Sequence, residues 1–267
     1  MINVNLPEHI FLFGHRQQHG KDTSAELLKN FCVKNNIDYS YSFFARLLKK
    51  QVAERYNLDF EKMEEDSYKN WCPPWVESKS DQIDIIDLRL DINFKIGMEY
   101  NYKGRSWKVL EVNELNRKVT LNAPRTVRDI LIEEGNKGRS IWENCWASAA
   151  YRDLFETDSK VGIISDYRFP NEYLCFDDVL NQYLNSKFGK ETLNFNYPKV
   201  HRVLVHRPAG IFKNDGADGE LPDLEEPDEW DYVIMNDIEG NGWKKHLDGQ
   251  ISDMLMDLGI IGDLNVI

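Results

Sequence analysis

Four apolar residues in a row, Ile10-Phe11-Leu12-Phe13, run into a glycine turn and then into a segment whose apolar positions recur at helical spacing: Ala25, Leu28, Phe31 and Cys32. A strand with no polar face must be covered on both sides, and a parallel sheet with helices on each face meets that condition. The expected fold is therefore α/β in three layers, with a central parallel sheet. The turn itself, GHRQQHGKDT from Gly14 to Thr23, constrains the chemistry. Glycines let successive N–H groups point into one hollow, and the helix N-terminus adds the positive end of its dipole, so the turn is a candidate phosphate cradle. Gly14, Arg16, Gly20, Lys21, Asp22 and Thr23 are its candidate nucleotide-binding residues, with Lys21 as the point charge on the β- and γ-phosphates. Two features depart from the usual pattern. Five residues rather than four separate Gly14 from Gly20, and Asp22 follows the lysine where a hydroxyl normally reaches Mg²⁺, the hydroxyl coming one place later at Thr23. A plain strand-turn-helix connection that contains Gly-Lys is the alternative.

The chain has 267 residues, of which 42% are apolar, enough for one large α/β domain or two small ones. A formal net charge of −12 argues against a binder of polymeric nucleic acid, which would carry a basic excess. It leaves room for one small phosphorylated ligand held by a few converging cations. The four cysteines (Cys32, Cys72, Cys145 and Cys175) form no CxxC pair, so buried thiols in a reducing compartment are expected rather than a zinc site. The N-terminus lacks the basic-then-apolar pattern of a signal peptide, and no apolar run approaches a membrane span. A cytoplasmic protein without a membrane partner is the expectation.

Further along, YSYSFF (Tyr39–Phe44) reads as a second strand, followed by a helix over Ala45–Ala53 that carries Arg46 and Lys49. These two either face a second anionic group or belong to a solvated helix face. Residues 57 to 95 are polar and show poor periodicity, with Pro73-Pro74 marking a loop. From Lys95 to Asn122 apolar residues alternate (Met98, Tyr100, Tyr102, then Trp107, Val109, Val119, Leu121), which predicts a small antiparallel β-unit. A lid, a homodimer contact and simple decoration all suit it. The predicted division is a core of residues 1–56 and 123–267 with an insertion at 57–122. Thr126–Tyr151 reads as two helices broken at Gly135 and Gly138, with Arg125, Arg128 and Arg139 around them. The arginines are either surface residues or the forks of a phosphate clamp. VGIISDYRFPNE (Val161–Glu172) is a strand ending at Ser165-Asp166, where ligands bind in open α/β sheets. Asp166 there would orient Mg²⁺ or hold an arginine, and Arg168 would touch phosphate, unless the two merely pair in a turn. HRVLVH (His201–His206) is another strand with Arg207 directly after it. A long acidic segment from Pro208 to Asp231 has the length of a functional lid or of a disordered stretch. Tyr232–Met235 is a last strand, and an amphipathic helix follows through Leu258.

Taken in order, GKDT, FARLLK, TVRDILIEEGNKGRSIWENCW, ISDYRFPNE, HRP and YVIMND resemble the bacteriophage-type deoxynucleoside monophosphate kinases of the P-loop kinase fold. The resemblance covers most of the chain outside roughly residues 57–124. It implies Mg²⁺-dependent transfer of the ATP γ-phosphoryl group to a deoxynucleoside 5′-monophosphate, in the host cytoplasm if the protein is phage-encoded. On this resemblance Gly20, Lys21, Asp22 and Thr23 hold the donor phosphates, with Asp22, Thr23 and Asp166 at the metal. Arg46, Lys49, Arg128, Arg139, Asp166 and Glu172 form the acceptor side, and Lys21, Arg128, Arg168 and Arg207 clamp the transferring group. The lengthened loop and the β-unit depart from the family pattern.

Such a transfer asks little covalent chemistry of the protein, only positioning and charge neutralisation, and one arginine in the clamp is worth on the order of 10³-fold in rate. An acceptor phosphate is already ionised at neutral pH, so no general base is required. His15 and His19 are then loop filler or phosphate hydrogen-bond donors. Closure of the Pro208–Asp231 lid would exclude water. Three other readings stand beside the kinase: a kinase for another small acceptor such as a phosphorylated isoprenoid precursor, a non-catalytic nucleotide-binding protein, and a plain interaction protein.

Overall fold

The structure is a computed structural model and describes residues 1–14, 19–84, 95–102, 105–113, 118–207, 229–237 and 242–261. The chain divides into two compact units, Met1–Leu48 with Lys137–Ile267, and Lys49–Asn136. In chain order the first elements are β1 (Ile2–Asn3), β2 (His9–Gly14), α1 (Lys21–Lys34), β3 (Tyr39–Ser42) and α2 (Arg46–Tyr56). A 3₁₀ turn (Glu61–Glu64) and a single helical turn, α3 (Asp66–Lys69), precede strands β4 (Lys79–Asp84), β5 (Glu99–Tyr102), β6 (Arg105–Asn113) and β7 (Lys118–Ala123). Helices α4 (Val127–Ile141) and α5 (Cys145–Phe155) lead to β8 (Val161–Tyr167), α6 (Pro170–Leu174) and α7 (Phe176–Phe188). The chain continues through β9 (Leu193–Asn194), β10 (Lys199–His206), β11 (Tyr232–Met235) and α8 (Trp243–Asp257).

The first unit is a three-layer α/β sandwich. Its five-stranded sheet has the order β11-β10-β2-β8-β3, and every neighbouring pair is parallel. Strand β2 lies in the middle, and alternation along it explains why its run is apolar throughout. Phe11 and Phe13 point to one face, against Ala25, Leu28 and Cys32 of α1 and Leu247, Ile251 and Met254 of α8. Ile10 and Leu12 point to the other, against Tyr151 and Leu154 of α5 and Val179, Leu180 and Tyr183 of α7. All four strand residues are fully buried, and each such side chain contributes about 1.5–3 kcal/mol of burial.

The second unit contains an antiparallel sheet of order β4-β7-β6-β5. Strand β7 alternates as expected, with Val119, Leu121 and Ala123 buried and Lys118, Thr120 and Asn122 half-buried. The sheet is wider than the predicted β-unit, because β4 comes from the segment that reads as irregular. Its sequence, KSDQID, carries no apolar alternation, and pairing with β7 is what makes it a strand. The expected turns at Lys103-Gly104 and 114–116 lie outside the described residues.

Two further differences from the sequence reading concern helices. Gly135 and Gly138 do not break the 126–151 region, since α4 runs through both. Gly138 is there for close packing: a Cβ on it would come within 2.3 Å of the Trp146 indole. The stretch after the VGIISDYRFPNE segment, for which the sequence reading gives no element, continues α6 and forms α7. Among the described residues no helix is long and apolar enough to cross a membrane.

Candidate functional site

Strand β2 is the place where connections change sides. Its own continuation, α1, covers one face of the sheet, while α7, which follows β8, covers the other. In open parallel sheets the crevice at the carboxyl ends of such strands is the usual ligand site. The glycine turn leaves β2 at this end. Gly20 has φ +100°, a left-handed conformation that strains any residue with a side chain, and a Cβ there would lie 2.7 Å from Nδ2 of Asn236. Asn236, just past β11, is buried and donates from Nδ2 to the His19 carbonyl at 2.9 Å, while its own N–H donates to the His206 carbonyl at 2.7 Å. His19 is buried too, and its Nδ1 accepts the N–H of Arg207 at 3.2 Å, which places the imidazole proton on Nε2. The ends of β10 and β11 thereby fix the exit of the turn.

Helix α1 begins at Lys21 with no side chain capping it at Gly20, and the Ser24 N–H donates to the Gly20 carbonyl at 2.8 Å, the i→i−4 bond of the first turn. The leading N–H groups of such a helix attract an anion. Lys21 is 7% exposed, and its Nζ lies 3.2 Å from Oδ2 of Asp22, which is 72% exposed. Burying an ammonium beside uncapped helix donors costs free energy that a bound phosphate would offset. Thr23 is half-buried on the same turn.

The ends of β3 and β8 form the other side. Asp166 accepts the N–H groups of Phe44 (2.6 Å, Oδ1) and Ala45 (3.2 Å, Oδ2), so it ties β8 to the start of α2. Tyr41 hydrogen-bonds Ser165, and burial pushes its phenol up to about 12, with the charges of Asp22, Asp166 and Glu26 adding to the rise. Asp22 and Asp166 therefore act on one side chain from two elements. Among the described residues no three His, Cys, Asp or Glu form a group able to hold a metal ion. A magnesium ion carried in with a nucleotide needs only one or two protein oxygens, so Thr23, Asp22 and Asp166 fit that requirement.

The remaining predicted residues are distributed as follows. Arg46 opens α2 and pairs with Asp153 at 3.3 Å, an aspartate that also accepts from Ser42 Oγ at 3.1 Å. Arg139 lies over the Phe169 ring at 5.0 Å from its centroid. Arg168 donates its N–H to Oε2 of Glu172 at 2.7 Å, and Phe169 donates to the same oxygen at 3.0 Å. The Glu172 carboxylate is thus turned inward to hold the start of α6. Arg207 is exposed at the end of β10. Lys49 and Arg128 belong to the second unit. Arg16, His15 and residues 208–228 of the expected lid lie outside the described residues. Gly14, Gly20, Lys21, Asp22 and Thr23 are gathered at one end of the sheet with Asp166 and Arg207, whereas Arg139 and Glu172 are engaged in packing and capping. Sequence reasoning passed over Asn236 and Tyr41. Asn236 could have been found as a polar residue directly after an apolar strand, YVIM.

Comparison of the chain with protein-family profiles and with curated proteins returned no match.

Proposed function

We propose that the protein transfers the γ-phosphoryl group of ATP to a deoxynucleoside 5′-monophosphate. The observation that carries this reading is the junction at Gly20-Lys21. A left-handed glycine, clamped by Asn236, delivers a buried lysine to the uncapped start of a helix at the centre of a parallel sheet. The ordered resemblance to deoxynucleoside monophosphate kinases supplies the acceptor class. The N–H groups of the first turn of α1 would bind the donor phosphates, and Lys21 would move with the negative charge as it shifts toward the β-phosphate. Thr23 with Asp22 or Asp166 would hold Mg²⁺, which contributes charge neutralisation across the β- and γ-phosphates. Arg168 and Arg207, on the ends of β8 and β10, are the arginines of the first unit that would steady the transferring group.

The test is ATP–Mg²⁺ turnover with each deoxynucleoside monophosphate in turn, run beside Lys21→Ala. Diphosphate formation that falls on the order of 100-fold or more in the variant supports the reading. ATP binding without any transfer would instead favour a nucleotide-binding protein without catalysis, for which the five-residue spacing between Gly14 and Gly20 is the argument.

A further inference from the structure

The second unit carries a cluster of cations with an unusual distribution of burial. Lys49 on α2, Lys69 at the end of α3 and Arg128 on α4 lie near one another. The ammonium of Lys69 is disfavoured chiefly by burial and then by the charge of Lys49, with Arg128 adding to it. All three reach the segment Glu64–Asp66. Lys49 Nζ is 2.5 Å from Oε1 of Glu64, Lys69 Nζ donates to the Glu64 carbonyl at 3.1 Å, and Arg128 Nη2 donates to Oδ1 of Asp66 at 3.2 Å. The Lys49 and Arg128 side chains are 13% and 25% exposed, whereas Glu64 and Asp66 are 59% and 68% exposed. The cations are seated in the unit and the acids lie over them from outside. Exposed carboxylates hold such pairs weakly, so a more highly charged anion can replace them.

Aromatic rings follow in the same stretch of chain, Tyr68 directly before Lys69 and Trp71 two residues after it. The Trp71 indole is 38% exposed, with Tyr68 tilted against it at 5.4 Å and Trp75 edge-on at 5.4 Å. The Trp71 carbonyl accepts the N–H of Val127 at 3.0 Å, which anchors Trp71 to the first turn of α4, one residue before Arg128. An exposed indole steadied by neighbouring rings offers a face for stacking a base, and the cations of Lys69, two residues earlier in the chain, and of Arg128, next to the residue that bonds the Trp71 carbonyl, offer a place for the attached phosphate.

We propose that Lys49, Lys69 and Arg128 bind the 5′-phosphate of a nucleoside monophosphate whose base stacks on Trp71, and that Glu64 and Asp66 occupy the phosphate position until the nucleotide displaces them. The choice of a nucleotide as occupant rests on the proposed kinase reading, which already placed Lys49 and Arg128 on the acceptor side. Lys69, Trp71 and the two displaceable carboxylates are additional to it. The carboxylates act as a selectivity filter. A phosphate dianion can outcompete them for three cations, whereas an unphosphorylated nucleoside cannot.

The experiment is calorimetric titration of the full chain, without ATP, using the deoxynucleoside 5′-monophosphates, the matching nucleosides and inorganic phosphate as probes. Glu64→Gln with Asp66→Asn should tighten monophosphate binding about three- to tenfold. Trp71→Ala should weaken it by about tenfold or more, with Trp71→Phe restoring most of the loss and inorganic phosphate unaffected by either. Unchanged or weaker monophosphate binding in the carboxylate variant overturns the proposal, as does nucleoside binding equal to that of the monophosphate. Wild-type turnover with no gain in the carboxylate variant would sink this site while leaving the kinase reading intact. Tightened binding with no phosphoryl transfer from ATP would do the reverse.

Discussion

Glu172 is buried, and burial pushes its carboxyl up to about 8 from an ordinary 4.5, the charge of Asp166 adding to the rise against the two backbone N–H groups that favour ionisation. At neutral pH the folded protein therefore keeps a proton that the unfolded chain releases. Between about 4.5 and about 8 the native state binds more protons than the unfolded one, so this group's contribution to stability falls as pH rises through that window. Glu172→Gln retains an oxygen for both N–H groups and cannot titrate. Thermal unfolding followed from pH 5 to pH 8 should show a shallower loss for this variant than for the wild type, and parallel curves would contradict the assignment. The same residue shows where the sequence stops being informative. DYRFPNE announces acidic and basic groups beside a strand end, as a phosphate site requires. Whether a given carboxylate faces a ligand or turns back to receive backbone donors depends on the path of the chain after Phe169, which residue types do not encode. Lys21 was legible for the opposite reason, since its role follows from its place between a glycine and a helix start.

At the scale of elements, apolar pattern was a good guide wherever one strand or helix face decided the outcome. Strands β2, β8, β10 and β11 stand out as apolar runs, and α8 as a helical stripe. The pattern of α7 was equally present in Phe176, Val179, Leu180, Tyr183 and Leu184, spaced at helical intervals and all buried. Helix α4 was harder, because Gly135 and Gly138 look like breaks until their neighbours are known. A glycine inside a helix normally gains about 0.5–1 kcal/mol on replacement by alanine. At Gly138 the sign should reverse, because the new methyl group would fall 2.3 Å from an atom of the Trp146 ring. Gly138→Ala is expected to lower stability by about 1–3 kcal/mol, measured by urea unfolding, and a stabilised variant would show that the Trp146 ring moves aside at no cost. Strand β4 was out of reach for a different reason. An edge strand of polar residues is defined by its partner, and that partner, β7, lies beyond the intervening residues.

At the scale of the whole molecule, the parallel sheet of the first unit is assembled from strands that are far apart along the chain. Strand β3 precedes the second unit and β8 follows it, yet the two are neighbours. The sequence conveyed this arrangement only coarsely, as a strand-helix series with an interruption, because patterning tells which faces are buried and not which strand lies beside which. The central strand has the most demanding position. Ile10–Phe13 is fully buried between β8 and β10, so neither of its sheet neighbours exists until synthesis has passed Val161 and then Lys199. At ordinary translation rates of roughly 5–20 residues per second, the interval is on the order of ten seconds or longer. During it this fully buried apolar run has no sheet to join. Ribosome-bound chains halted before Val161 should be cleaved by protease at Ile10–Phe13, and chains extended far enough for β8 and β10 to have left the ribosome should resist; early resistance would mean that the strand finds other cover. Cleavage in the early chains would make yield in a cell a matter of shielding that strand during translation as well as of the stability of the finished fold.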